Sequence, residues 1–194
     1  MRLTIAIFIL ALIGCKPEPQ HKIKTPVFDL PGFVDELILN MDRKNHRVTK
    51  TFTLNSEAET KQYDSSDSIY WARELVILKD IDLNSPKLRE VIDISTKLKE
   101  ENSNLLIDEY LVTDDNTSLL KKLSVYYLKE PFEIRQVYAE LNSVNLISRS
   151  STKFNLWISR YNNKLIIDSL QIIGSDKTFM QPKREYHIIT RTTW

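Results

Sequence analysis

The chain has little of what catalytic sites are usually built from. Of its 194 residues one is cysteine, three are glycine and three are histidine. The single cysteine, Cys15, excludes an intramolecular disulfide and leaves a thiol that an exported protein would not ordinarily keep. Gly14, Gly32 and Gly174 are far apart, so no glycine-rich loop can wrap a phosphate, and turns must rely on Asn, Asp and Ser. His21, His46 and His187 share no ligand spacing. Residues 80–84 begin like a calcium loop, but Ser85 stands where glycine is required and Val91 where the bidentate glutamate belongs. Gly174-Ser175-Asp176 lacks the second glycine of a nucleophile elbow and reads as a hairpin turn. The carboxylate pairs Glu57/Glu59 and Asp64/Asp67 lie in polar stretches, where nothing would drive their pKa values apart into acid and base roles. These absences point away from an enzyme, and no metal or organic cofactor is expected.

Long apolar runs are missing too. The longest, from Leu3 to Leu12, covers about 15 Å as a helix against a hydrocarbon core of about 30 Å, too little to span a bilayer. It is preceded by Arg2 and followed by Leu12-Ile13-Gly14-Cys15. A charged start, an apolar centre and small residues before a cut form a secretory signal. A cysteine directly after Leu12, Ile13 and Gly14 marks the bacterial lipoprotein variant of that signal. Residues 1–14 are therefore expected to be removed and Cys15 to carry lipid. Several acyl chains on one residue hold a protein firmly, each buried methylene contributing about 0.8 kcal/mol. Residues 15–27 follow with Pro17, Pro19 and Pro26 among polar residues, a composition that favours an extended tether of up to roughly 35 Å. Lys16 rather than Asp after the cysteine argues for the outer membrane, with the facing side left open.

Residues 28–194 are enough for one domain with one core. The formal charge of +1 offers no footprint for nucleic acid, yet it is unevenly placed: residues 51–115 carry 7 basic and 15 acidic groups, residues 149–194 carry 8 and 3. Asp29 can cap a helix whose Phe33, Val34, Leu37, Ile38 and Met41 share one face. Residues 48–54 alternate and turn at Asn55-Ser56 into 57–63, a hairpin. Ser66 can cap a second helix with Ile69, Ala72, Leu75, Val76 and Leu78 inward, and Ser85-Pro86 starts a shorter one to about Ile92. Then the period changes to two. Residues 105–112, 119–128, 132–141, 147–161, 164–173 and 184–193 read as strands with short connections, Asn162-Asn163 suiting a two-residue turn. The expected fold is α+β, with two to three N-terminal helices and a hairpin packed on an antiparallel meander of about six strands, a curved sheet or open barrel.

In the strand 147–161, Phe154, Leu156 and Ile158 fall on one face, and Arg149, Lys153, Trp157 and Tyr161 on the other. A row of cations and flat aromatics suits stacking on sugar rings or pairing with acidic polymers, unless the aromatics simply pack across strands. It is the candidate binding surface. The alternation from Tyr186 to Trp194 reads as a last strand anchored by Trp194.

The segments Phe28-Asp29-Leu30-Pro31-Gly32-Phe33, Lys50-Thr51 with Thr53-Leu54-Asn55, and Glu74-Leu75 followed by Asp80-Ile81-Asp82-Leu83-Asn84-Ser85-Pro86 resemble a group of small lipoproteins of Bacteroidota without assigned activity. The resemblance implies an envelope lipoprotein and carries no functional residues. The leading expectation is a non-enzymatic module that presents its sheet to an envelope protein or polysaccharide, and the alternative is a half-barrel carrier of lipid or another hydrophobic ligand. The second needs an apolar pocket of roughly 300 to 1,000 Å³, the first a packed core.

Overall fold

The computed structural model describes residues 27–41, 46–63, 68–114, 118–130 and 132–193. The signal residues Leu12, Ile13 and Gly14, the lipidation residue Cys15, the tether up to Pro26, the Ser66 cap and Trp194 lie outside the described residues.

Asp29 caps helix α1 (Leu30–Asn40), its carboxylate accepting from the Gly32 N–H at 3.1 Å, with Pro31 in the first turn. Leu30, Phe33, Val34, Leu37 and Ile38 are buried, the stripe that helical spacing predicts. Strands β1 (Arg47–Leu54) and β2 (Glu57–Tyr63) form the hairpin through Asn55, which adopts a left-handed φ of 56°. Helices α2 (Ser68–Glu74), α3 (Val76–Lys79) and α4 (Pro86–Arg89) follow, then seven strands: β3 (Ile92–Lys99), β4 (Leu106–Val112), β5 (Leu120–Leu128), β6 (Glu133–Val144), β7 (Ser148–Tyr161), β8 (Lys164–Thr178) and β9 (Arg184–Thr193). All pairings are antiparallel, and the order across the sheet is β2-β1-β9-β8-β7-β6-β5-β4-β3. Among the described residues the fold is α+β with a meander, an open sheet of nine strands. Asn162 and Asn163 both take positive φ, 48° and 60°, which a two-residue turn between right-twisting strands requires.

The helices pack on one face, called inner here. Phe154, Leu156 and Ile158 of β7, Leu170 and Ile172 of β8 and Val137 and Ala139 of β6 share a buried core with α1, Trp71, Leu75 and Leu78. α1 lies on β8, where the Ile167 N–H points at the Met41 sulfur 3.3 Å away and the Asn40 side chain donates to the Leu165 carbonyl at 3.0 Å. Both sheet edges are protected against pairing. β2 is short and carries Glu57, Glu59 and Lys61, while β3 has a bulge between Ser95 and Leu98 next to Lys97 and Lys99.

Several expectations are corrected. The hairpin is not packed on the sheet but belongs to it, because β1 pairs with β9 along its whole length. The meander has a seventh strand, β3, where the short helix ends at Arg89 instead of reaching Ile92. The described residues hold four helices rather than two or three, because the second is interrupted at Leu75. Its buried stripe is Trp71, Leu75 and Leu78, while Ile69, Ala72 and Val76 are exposed, since an indole at i, i+4 and i+7 from two leucines outweighs smaller side chains. Gly174-Ser175-Asp176 is not a turn but lies inside β8, which runs on to Thr178.

Candidate functional site: an apolar groove at the open side of the sheet

At the β3 side of the sheet, the segment before α1 covers the inner face. Asn84 holds that segment reciprocally: its side-chain oxygen accepts from the Val27 N–H at 3.1 Å and its amide donates to the Val27 carbonyl at 3.3 Å. The Asn84 N–H in turn bonds the Asp82 carboxylate at 2.8 Å, and the Ser85 hydroxyl bonds the Asp82 carbonyl at 2.8 Å. Residues 80–84 thus act as a clamp on the segment before α1. The Phe28 ring meets Phe33 at 5.5 Å.

Beneath Val27 and Phe28 runs a groove of about 670 Å³. Tyr110 of β4, Val125 and Tyr127 of β5 and Ile134 of β6 form its buried floor. Ile94 and Phe132 form the rim and are 43% and 66% exposed, so apolar surface faces water where the groove opens. One carboxylate faces this apolar lining. Asp108 accepts from the Tyr127 hydroxyl at 3.0 Å and from the Lys97 N–H at 2.9 Å. Lys97 donates because the β3 bulge puts it at a φ of 58°. Burial and the hydrogen bond to Asp108 push the Tyr127 hydroxyl up to about 12. Burial also raises Tyr110, Asp108 adds to the rise, and a hydrogen bond with the Phe28 backbone partly offsets it. The Tyr127 hydroxyl thus keeps its proton and donates a hydrogen bond to Asp108.

The arrangement suits an elongated apolar molecule with a polar end. Chain carbons would lie over Val125 and Ile134, and a donor at the head would meet Asp108. The groove volume falls in the range of small-molecule sites.

The candidate surface on β7 is placed as the alternation predicts: Arg149, Lys153 and Trp157 share the outer face, opposite Phe154, Leu156 and Ile158. The structure does not gather them. Each lies four positions along the strand from the next, about 13 Å. Arg149 and Lys153 are exposed, Trp157 is half-buried opposite Gln136 and Ser169, and Tyr161 ends the strand at the Asn162-Asn163 turn. Lys153 lines a separate outer groove of about 590 Å³ with Ser151, Ile173, Lys183 and His187. Beside it runs a polar ladder across four strands: Gln136 donates to Asn155 at 3.0 Å, Asn155 to Gln171 at 3.4 Å, and the Gln171 amide lies 2.8 Å from His187 Nε2. His46, just before β1, is buried, 2% exposed. Among the described residues no three His, Cys, Asp or Glu side chains converge as a metal site.

In comparisons with protein families, with curated proteins and with solved structures, nothing matches this chain. The groove residues were not singled out by sequence, yet Asp108 gave a signal. It occupies an inward position between Leu106 and Tyr110, where alternation calls for an apolar side chain.

Proposed function

We propose that the chain is a lipoprotein held at the bacterial envelope, most simply the outer membrane, through lipid on Cys15, and that its domain carries an acyl chain or a comparable apolar ligand in the inner groove. The observation that supports the carrier reading is the groove itself, apolar, of about 670 Å³ and bounded by exposed Ile94 and Phe132. The rim leaves apolar surface in water that a ligand would cover. Each methylene withdrawn from water contributes about 0.8 kcal/mol, so a chain of moderate length would be held without any strong polar contact. The reading involves no catalytic step and no cofactor.

The anchor is tested by feeding cells tagged palmitate: the precursor should become labelled and a Cys15→Ser variant should not. The groove is tested by native mass spectrometry of the protein purified from its own envelope. A co-purifying lipid mass, removable by organic extraction, is expected, and ligand-free protein throughout would refute the carrier.

The interaction module is kept as a second reading because Arg149, Lys153 and Trp157 do share one outer face. In that case, loss of retention on envelope polysaccharide should follow Trp157→Ala with Lys153→Ala, and unchanged retention would discard it.

A further inference from the structure

Turns on soluble domains normally carry Gly, Asn, Asp, Ser and Pro. At one end of this sheet two of them add large exposed apolar residues to Asn145 and Pro182. The connection between β6 and β7 and the one between β8 and β9 lie side by side, because these strands alternate in direction and β7 pairs with both β6 and β8. The first presents Val144, Leu146 and Ile147, which are 70%, 102% and 66% exposed. The second presents Phe179 and Met180, 69% and 88% exposed.

These side chains are held out, not frayed. The Phe179 N–H donates to the Ile147 carbonyl at 2.7 Å and ties the two turns together. The Asn145 side chain accepts from the Ile147 and Ser148 N–H groups at 2.9 and 2.7 Å, fixing the first turn from within. In the second, Gln181 N–H bonds the Thr178 carbonyl at 3.0 Å around Met180, whose φ is 62°. Five large apolar groups therefore stand in water on a rigid base.

Cations surround them. Arg149 and Lys177 face each other across β7 and β8 directly behind the turns, and Lys183 and Arg184 follow at the start of β9. Against these four stand two acids, Asp176 and Glu185, the second paired with Lys183 at 2.7 Å. A protruding apolar tip above a basic collar matches the layered chemistry of an anionic bilayer surface, with apolar groups at the acyl boundary and cations among phosphates. A protein partner would instead have to offer a matching hollow. We propose that these paired turns are a membrane-contact tip, entering the headgroup layer of a bilayer that contains anionic phospholipid. The proposal is independent of the groove and of the Cys15 anchor.

All described elements fall within residues 27–193, so the chain from residue 16 keeps the complete sheet, helices and core and lacks both the signal and the lipidated thiol. That protein should sediment with vesicles of phosphatidylglycerol and phosphatidylcholine, and less with phosphatidylcholine alone. Leu146→Ser combined with Met180→Ser should weaken binding about tenfold or more, and Arg149→Gln with Lys177→Gln should weaken it and flatten its salt dependence. The fluorescence of a Met180→Trp variant should shift to the blue on anionic vesicles, reporting insertion rather than charge contact. These positions lie on the surface, so circular dichroism should be unchanged. The proposal is overturned if the serine pair sediments like the parent, if anionic vesicles are not bound, or if the tip instead drives a dimer that the serine pair abolishes.

Discussion

The ring of Tyr186 in β9 lies across Gly174 in β8, so close that a Cβ on residue 174 would stand 2.2 Å from the tyrosine Cζ. The hydroxyl continues to Thr152 in β7, 2.9 Å from its Oγ1, so one side chain ties three strands. Glycine is present because another side chain occupies the space of its own. Gly174→Ala should lower stability by about 1–3 kcal/mol, as overpacking does, measured by urea denaturation. In a Tyr186→Ala background the same Gly174→Ala change should cost much less, because the clash disappears with the ring.

A second test concerns a cation facing the helices. Lys50 projects from β1, and its ammonium lies 2.7 and 2.9 Å from the two oxygens of Glu74 in α2, both side chains largely buried. Glu74→Ala leaves the ammonium without its partner and should cost about 1–3 kcal/mol, less than for fully buried pairs. Lys50→Met with Glu74→Leu should be milder than either single truncation in the same denaturation assay.

Alkaline titration gives a third. Tyr127 is pushed to about 12 by burial and its bond to Asp108, and Tyr138 to about 12 by burial, the charge of Glu140 and its hydrogen bond to that carboxylate. In the unfolded chain both ionise near 10. Above that pH the unfolded state binds fewer protons than the folded one, so their contribution to stability is complete below about pH 10 and declines as pH rises toward 12. Phenolate absorbance should show tyrosines titrating well above 10, and Asp108→Asn should lower the value for Tyr127.

At the start of α1, Asp29→Ala removes the acceptor of the Gly32 N–H. A loss of about 1 kcal/mol is expected from thermal or chemical unfolding.

Much of the scaffold was legible where one period runs unbroken. In β7, inward Phe154, Leu156 and Ile158 alternate with outward polar residues, and Asn162-Asn163 names its own turn. β3 was illegible for the opposite reason. Its bulge between Ser95 and Leu98 resets the phase, and most of its side chains are exposed at an edge, so neither helical nor strand periodicity emerges. The break at Leu75 obscures the α2 stripe in the sequence, because Ile69 and Val76 continue a helical spacing whose buried members are in fact Trp71, Leu75 and Leu78. The groove was hidden for a topological reason: Ile94, Tyr110, Val125 and Phe132 come from different strands and from a turn, and only the sheet order and the Asn84 clamp on Val27 bring them under one roof. Inward-facing Asp108 was the single local clue.

The central claim, that the inner groove takes an apolar chain, is tested most directly by titrating the protein from residue 16 onward with a fluorescent monoacylglycerol, whose hydroxyl head can donate to Asp108. Saturable one-to-one binding is predicted, displaced by unlabelled lipid and weakened about tenfold or more by Ile94→Asp with Phe132→Asp, two exposed rim positions whose change spares the core. Absence of saturable binding, or equal binding by the rim variant, would contradict it.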